Sequence, residues 1–232
     1  MLYRESKAIG LPHDFVIYDE EDSKEVIQDI GSLGLREASD LYHEIGRIKS
    51  KAKGELLSTS SLMGDLFQKL GRWTDIAIEY QKRLMLNHAL DFQDLVFRVR
   101  VMLKEHEAIK NRWTNRFDFI QVDEVQDTHL SEYEVVKALS QSSGNLCLIG
   151  DFAQTIYEWR GSAPRELIRT YERDFDPVSI LSLRENYRAT RVLLQASNAL
   201  ARTFKHRSDG YDPAETVEEG EPIVFHRAEN GF

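Results

Sequence analysis

One pattern at the centre of the chain constrains its fold most: a short β-forming run ends in acidic residues, a helix follows, and the pattern repeats. Phe117-Asp-Phe-Ile-Gln-Val122 runs into Asp123-Glu124, and Asn145-Leu-Cys-Leu-Ile149 runs into Gly150-Asp151. Between them Ser131 to Leu139 reads as a helix, with Ser131 and Glu134 as a capping box and Leu130 and Val135 as a hydrophobic staple. Two strands joined through a helix pack side by side as a parallel pair. Their carboxyl ends then share one edge, which is where ligands bind in open parallel sheets.

The alternation continues downstream. Ala163 to Tyr171 reads as a helix with Pro164 in its first turn, Val178–Leu183 as a strand, and Thr190 to Phe204 as a helix. Pro222–Phe225 reads as a last strand, after a polar loop over Ser208–Gly220. The first third reads as all helical. The acids Asp19–Asp22 open a helix over Ser23–Ile30. Ala38 to Lys53 places Leu41, Ile45 and Ile48 at helical spacing, with Gly54 as its stop. Ser61 to Leu70, Trp73 to Leu86 and a long helix from Asp91 to Trp113 complete it. The expected fold class is α/β, a partial parallel sheet with an all-helical inserted subdomain.

Composition removes several classes of protein. At 232 residues, with 41% hydrophobic and 30% charged residues, the chain has the makeup of a folded protein of one large domain or two small ones. No stretch approaches the roughly 20 apolar residues of a membrane span, and the start does not read as a signal peptide. A single cysteine, Cys147, excludes an internal disulfide and a multi-cysteine metal site. It is expected to be a core residue, and a cytoplasmic setting is expected. A net charge of −9 argues against coating nucleic acid with the whole surface, though not against a local groove. The basic run Lys49 to Lys53 reads as a solvated helix end.

Three strand ends carry unusual chemistry. Asp123 and Glu124 read either as a solvated pair or as a site where Asp123 holds Mg²⁺ and Glu124 polarises a water. The string Gly150-Asp-Phe-Ala-Gln-Thr-Ile-Tyr-Glu-Trp-Arg-Gly161 sets Gln154 where it can sense a phosphate or orient a water. Its Tyr157, Trp159 and Arg160 read either as core or as a patch that stacks on single-stranded bases. Tyr187 and Arg188 read either as surface residues or as a purine-stacking ring beside an arginine finger.

Taken in order, these strings, DEVQDT, GDFAQTIYEWRGS and NYRAT, resemble the UvrD/PcrA/Rep family of superfamily 1 DNA helicases. Asp91-Phe-Gln-Asp-Leu95 and Leu11-Pro-His-Asp-Phe-Val-Ile-Tyr-Asp-Glu20 resemble two further family strings. The resemblance covers essentially the whole chain and implies a RecA-like fold of the P-loop NTPase type. It implies an ATP- and Mg²⁺-dependent 3′-to-5′ helicase acting on single-stranded and duplex DNA. Asp123 would hold Mg²⁺, Glu124 would activate the attacking water, and Gln126 and Asp127 would brace the γ-phosphate region. Gln154 would couple phosphate state to DNA, and Tyr157 and Trp159 would stack on bases beside Arg160. Tyr187 would stack on adenine, and Arg188 would be the arginine finger. Val125, Thr155 and Ala189 depart from the family strings without removing a charge or a ring.

None of the 13 glycines is followed by lysine, so the family's P-loop, GxxxxGK[ST], is not in this sequence. The chain therefore reads as a middle slice of a helicase: 1–88 the helical insertion, 89–177 the second half of the first lobe, and 178–232 the start of the second. The expected activity of the chain alone is little or none. The alternative is a non-catalytic module that binds single-stranded DNA or docks a partner. A helicase–nuclease subunit of the RecB/AddA type fits the strings less well.

Overall fold

The computed structural model describes residues 1–52, 60–155, 162–203 and 210–227. The structure is mixed α/β, mostly helical, with short parallel strands. Helix α1 (Leu2–Glu5) precedes β1 (Val16–Tyr18). Helices α2 (Glu20–Gly31), α3 (Leu35–Lys51), α4 (Ser60–Phe67) and α5 (Thr74–Leu86) then lead to β2 (Ala89–Asp91). β1 and β2 are parallel neighbours, Val16 opposite Ala89 and Tyr18 opposite Asp91. The four helices α2–α5 are thus an excursion between two paired strands.

Next come α6 (Phe92–Glu105), α7 (Glu107–Thr114), β3 (Ile120–Val122), α8 (Leu130–Ser140) and β4 (Leu146–Leu148). The described chain continues with α9 (Pro164–Asp174), β5 (Glu185–Asn186), α10 (Arg191–Ala201) and β6 (Asp212–Pro213). β3 pairs with β4 and β5 with β6, both in parallel. Among the described residues the three strand pairs are separate sheets rather than one.

Local chemistry explains the helix starts. Asp19 accepts from the N–H groups of Glu21 (2.8 Å) and Asp22 (2.9 Å), while Asp22 accepts from that of Asp19 (3.1 Å). This reciprocal cap satisfies donors that the first turn leaves free. Asp91 and Asp94 do the same for α6. The helices bury three apolar clusters. Ile27, Leu41, Ile45, Tyr80, Leu84 and Phe97 join α2, α3, α5 and α6. Leu90, Met102, Leu103, Ile109 and Trp113 form the second, and Val125, Tyr133, Leu146 and Leu167 the third.

Several expectations are corrected. The first third is not wholly helical, because it contains β1. A three-residue strand is too short for its alternation to be read between helices, and pairing with β2 makes it. The helix expected from Asp91 to Trp113 breaks at His106, where φ is −116° and ψ 85°, so that α6 and α7 can both face the second cluster. The cap of α8 lies two residues upstream of the expected one: the His129 N–H donates to Glu132 at 2.9 Å. Val178–Leu183 is not a strand. Ile180, Leu181 and Leu183 are 78, 88 and 84% exposed, and no described strand offers that segment a ladder. Pro222–Phe225 likewise forms no strand among the described residues, with Phe225 exposed. The 208–220 loop contains β6. Cys147 is exposed rather than core, because it faces outward on β4 between buried Leu146 and half-buried Leu148. Gly54 and Phe204 lie outside the described residues.

Lys49 is also corrected. It is not a solvated helix end but fully buried, with its Nζ 2.7 Å from Asp91 and 2.9 Å from Asp94. The Tyr80 hydroxyl donates to Asp91 (3.0 Å) and the Gln81 amide to Asp94 (3.3 Å). Burial alone would lower the Lys49 amine, but the two carboxylates hold it above its ordinary value. Burial, and then the charge of Asp94, raise Asp91. Lys49 follows Leu41 and Ile45 at four-residue steps on the inward stripe of α3, which is the signal that the charge pattern masked.

Candidate functional site

β3 and β4 run in register from Ile120 opposite Leu146 to Val122 opposite Leu148. The pairing outlasts the strands: the Ile149 N–H donates to the Val122 carbonyl (2.8 Å), and the Val125 N–H to the Ile149 carbonyl (2.9 Å). The acidic ends of both strands are therefore held side by side. Asp123 and Glu124 are exposed at that edge. Glu124 sits in the left-handed region, φ 52° and ψ 39°, which costs an L-residue roughly 1–2 kcal/mol. The Val125 bond and the donation of the Asp127 N–H to the Glu124 carbonyl (3.0 Å) hold it there.

Gln126 is buried beneath this turn and joins the two motifs. Its Nε2 donates to Glu124 Oε2 at 2.6 Å, and its Oε1 accepts the Asp151 N–H at 3.2 Å. Gly150 makes the approach possible, since a Cβ there would lie 2.7 Å from both Gln126 Oε1 and Val125 Cγ1. The Asp151 carboxylate accepts from the Ala153 N–H (2.9 Å), from Gln154 Nε2 (2.9 Å) and from the Tyr211 hydroxyl. Burial raises Asp151, but these donors outweigh it and hold the carboxyl below its ordinary value. A continuous polar relay thus runs Glu124–Gln126–Asp151–Gln154. Asp127 lies beside it, its Oδ1 buried and without a hydrogen-bond partner among the described residues.

Tyr187 and Arg188 stand on the turn after β5, both exposed. Asn186 Oδ1 shapes that turn by accepting the N–H groups of Arg188 (3.0 Å) and Ala189 (2.8 Å). The Tyr187 hydroxyl donates to Glu185, which raises its pKa. Among the described residues no hydrogen bond or ion pair joins Arg188 to Asp123 or Glu124. Among the described residues, a hydrogen bond that does join the two regions is that of Tyr211, next to β6, to Asp151. Tyr157, Trp159 and Arg160 lie outside the described residues.

Asp123, Glu124, Gln126, Asp127 and Gln154 are therefore brought together, and Tyr187 and Arg188 are not joined to them directly. Gly150, Asp151, Asn186 and Tyr211 also shape the site. Gly150-Asp151 was visible as a strand end, and Asn186 as a turn former two residues before Arg188. Tyr211 carries no local signal.

An α/β chain whose polar groups converge at the carboxyl ends of parallel strands has the layout of a ligand-binding α/β protein. Residues 1–176 match the UvrD/REP helicase N-terminal domain, and the chain belongs to that family. It is 32% identical over 241 residues to the ATP-dependent DNA helicase PcrA of Bacillus subtilis, which covers 100% of this chain and 31% of that protein. It is 31% identical over 232 residues to PcrA of Staphylococcus aureus, covering 98% of this chain and 31% of that protein. Rep of Escherichia coli, also an ATP-dependent DNA helicase, is 28% identical over 207 residues, 89% of this chain and 31% of Rep. The chain thus spans about a third of the length of the relatives it matches. Among the described residues no helix is long and apolar enough to cross a membrane.

Proposed function

We propose that this chain supplies the water-activating half of the nucleotide site of an ATP-dependent, 3′-to-5′ DNA helicase, together with its base-stacking patch. The observation that carries this reading is the Glu124–Gln126–Asp151–Gln154 relay at the ends of adjacent parallel strands. Family membership and the helicase names of its relatives support it. The proposed division is a helical insertion over 1–88, the second half of a RecA-like lobe over 89–177, and the start of a second lobe over 178–232. The parallel pairing of β1 with β2 on either side of α2–α5 supports an insertion over those four helices, and leaves β1, within 1–88, on the strand side of it.

The site's chemistry suits Mg²⁺, a hard cation that takes oxygen ligands. Asp123 is an exposed carboxylate with one oxygen engaged by the Glu124 N–H (2.9 Å), and the orphaned Asp127 Oδ1 lies nearby in sequence. Asp123 would hold the ion, which when bound with ATP would neutralise charge developing on the phosphates. Glu124 would accept the proton of the attacking water, kept in place by the Gln126 amide. Asp127 and Gln126 would brace the γ-phosphate region. Gln154, oriented by Asp151, would pass the state of the phosphate to Tyr157, Trp159 and Arg160, which would stack on and steer single-stranded bases. Tyr187 would stack on adenine, and Arg188 would face the phosphates from the opposite side.

The sequence holds no glycine followed by lysine, so it supplies no P-loop lysine to cradle the phosphates. We therefore expect no DNA-stimulated ATP turnover by this chain alone. That absence also favours a second reading, a non-catalytic module that binds single-stranded DNA. The test is ATP hydrolysis by the purified chain with and without single-stranded DNA, beside Glu124→Gln, followed by adding the remaining family segments in trans. Restored turnover that Glu124→Gln abolishes supports the helicase reading. Turnover indifferent to Glu124 sinks the role given to that residue. DNA binding with no turnover in any combination favours the second reading.

A further inference from the structure

We propose that Tyr211 is a positioning residue, which registers the turn bearing Arg188 against the carboxyl ends of β3 and β4. Its backbone is clasped at both polar atoms by one side chain of α10: Asn198 Nδ2 donates to the Tyr211 carbonyl (2.8 Å), and Asn198 Oδ1 accepts the Tyr211 N–H (3.0 Å). Gly210 precedes it at φ 78°, where a Cβ would sit 2.8 Å from Asn198 Oδ1, so the clasp requires glycine there. With the backbone fixed, the ring reaches 60 residues back along the chain, and its hydroxyl donates to the Asp151 carboxylate.

From the other side of Tyr211 the path to Arg188 is short. β6 begins at the next residue and pairs with β5, Asp212 opposite Glu185 and Pro213 opposite Asn186. The Asp212 N–H donates to the Arg184 carbonyl (2.9 Å), and the Ala214 N–H to the Asn186 carbonyl (3.1 Å). Asn186 in turn holds the N–H of Arg188. Every step from Asp151 to Arg188 is a hydrogen bond or a one-residue step of chain. β5 and β6 are only two residues each, too short to fix their own orientation, and the hydroxyl that reaches Asp151 ties them, with α10, to the β3–β4 edge. Any consequence for catalysis rests on the role proposed for Arg188; the positional role does not.

The test uses the full chain, Tyr211→Phe and Asp151→Asn, read by amide hydrogen exchange and by titration of the tyrosine ring signals. Burial and the bond to Asp151 push the Tyr211 phenol up to about 12. In Tyr211→Phe the amides of Ala153, Gln154, Arg188 and Ala189 are expected to exchange about ten-fold faster, the scale of one lost hydrogen bond to a charged group. Those of α2–α5 are expected to stay unchanged. In Asp151→Asn one phenol is expected to titrate closer to the ordinary value of about 10. Faster exchange confined to residues 210–212, or a phenol indifferent to Asp151, overturns the proposal. If Tyr211→Phe does not fold, the Asp151→Asn titration decides. Neither measurement contains nucleotide or DNA, so a failure here is distinct from a failure of the helicase reading.

Discussion

The Lys49 ammonium lies 2.7 Å from the Asp91 carboxylate across 42 residues of chain, and neither side chain reaches solvent. The pair ties α3 to the first residue before α6, whose other end leads through α7 to the strand bearing Asp123. Asp94 lies on the same ammonium at 2.9 Å, so two buried carboxyl groups share one cation, and the ammonium is what makes them tolerable there.

Lys49→Met should therefore destabilise the chain by about 3–5 kcal/mol at neutral pH, because it leaves two buried carboxylates facing one another. The loss should shrink as the pH falls and a carboxylate takes up a proton. Urea unfolding at neutral and mildly acid pH measures both. A loss below about 1 kcal/mol at neutral pH would mean that the cluster is hydrated in solution.

Asp174 is shifted in the opposite direction to Asp91. Burial raises it, but donors from Lys137 and Tyr133, with Arg173, hold it below the ordinary aspartate value. Its stabilisation is complete above about pH 3.9, the ordinary value, and is lost as the pH falls through the lowered folded-state value. Asp174→Asn should thus lower the melting temperature at pH 7 and lower it less at an acid pH below about 3.9. An equal drop at both would contradict this.

Gly150→Ala should cost about 1–3 kcal/mol, since the new methyl lands on Gln126 and Val125 beneath the Glu124 turn. Gly64→Ala, in α4 with no atom of the described residues within 4 Å of the new Cβ, should instead stabilise by roughly 0.5–1 kcal/mol through helix propensity. Thermal melts of the two variants should move in opposite directions.

Trp159→Ala should weaken binding of a single-stranded oligonucleotide by about 1–3 kcal/mol, the scale of one lost base stack, while Glu124→Gln leaves it intact. Fluorescence anisotropy with a labelled oligothymidylate reads this. Equal affinity in all forms would remove Trp159 from the proposed DNA patch.

Much of this molecule was legible locally. The acids at Asp19 and Asp91 announced helix starts because a carboxylate two or three residues upstream is all a first turn needs. The runs ending at Val122 and Ile149 announced strands because each carries its β-formers together. Misreadings came where structure depends on a distant partner. Val16–Tyr18 is a strand because Ala89–Asp91 pairs with it, whereas Val178–Leu183, also rich in β-formers, has no described partner and forms no strand. Lys49 read as a surface charge because its counter-ions are 42 and 45 residues away.

Local sequence was enough for most of the helices, the acidic strand ends, the motif strings that mark the family, and the lack of a glycine–lysine phosphate loop. Each of these is set by neighbours within a few residues or by residue identity alone. Long-range packing alone sets Gln126 between Glu124 and Asp151, buries Lys49 between two aspartates, and brings Tyr211 back to the strand end. Hydrogen bonds between remote segments have no period along the chain. They exist only once apolar burial has brought those segments together.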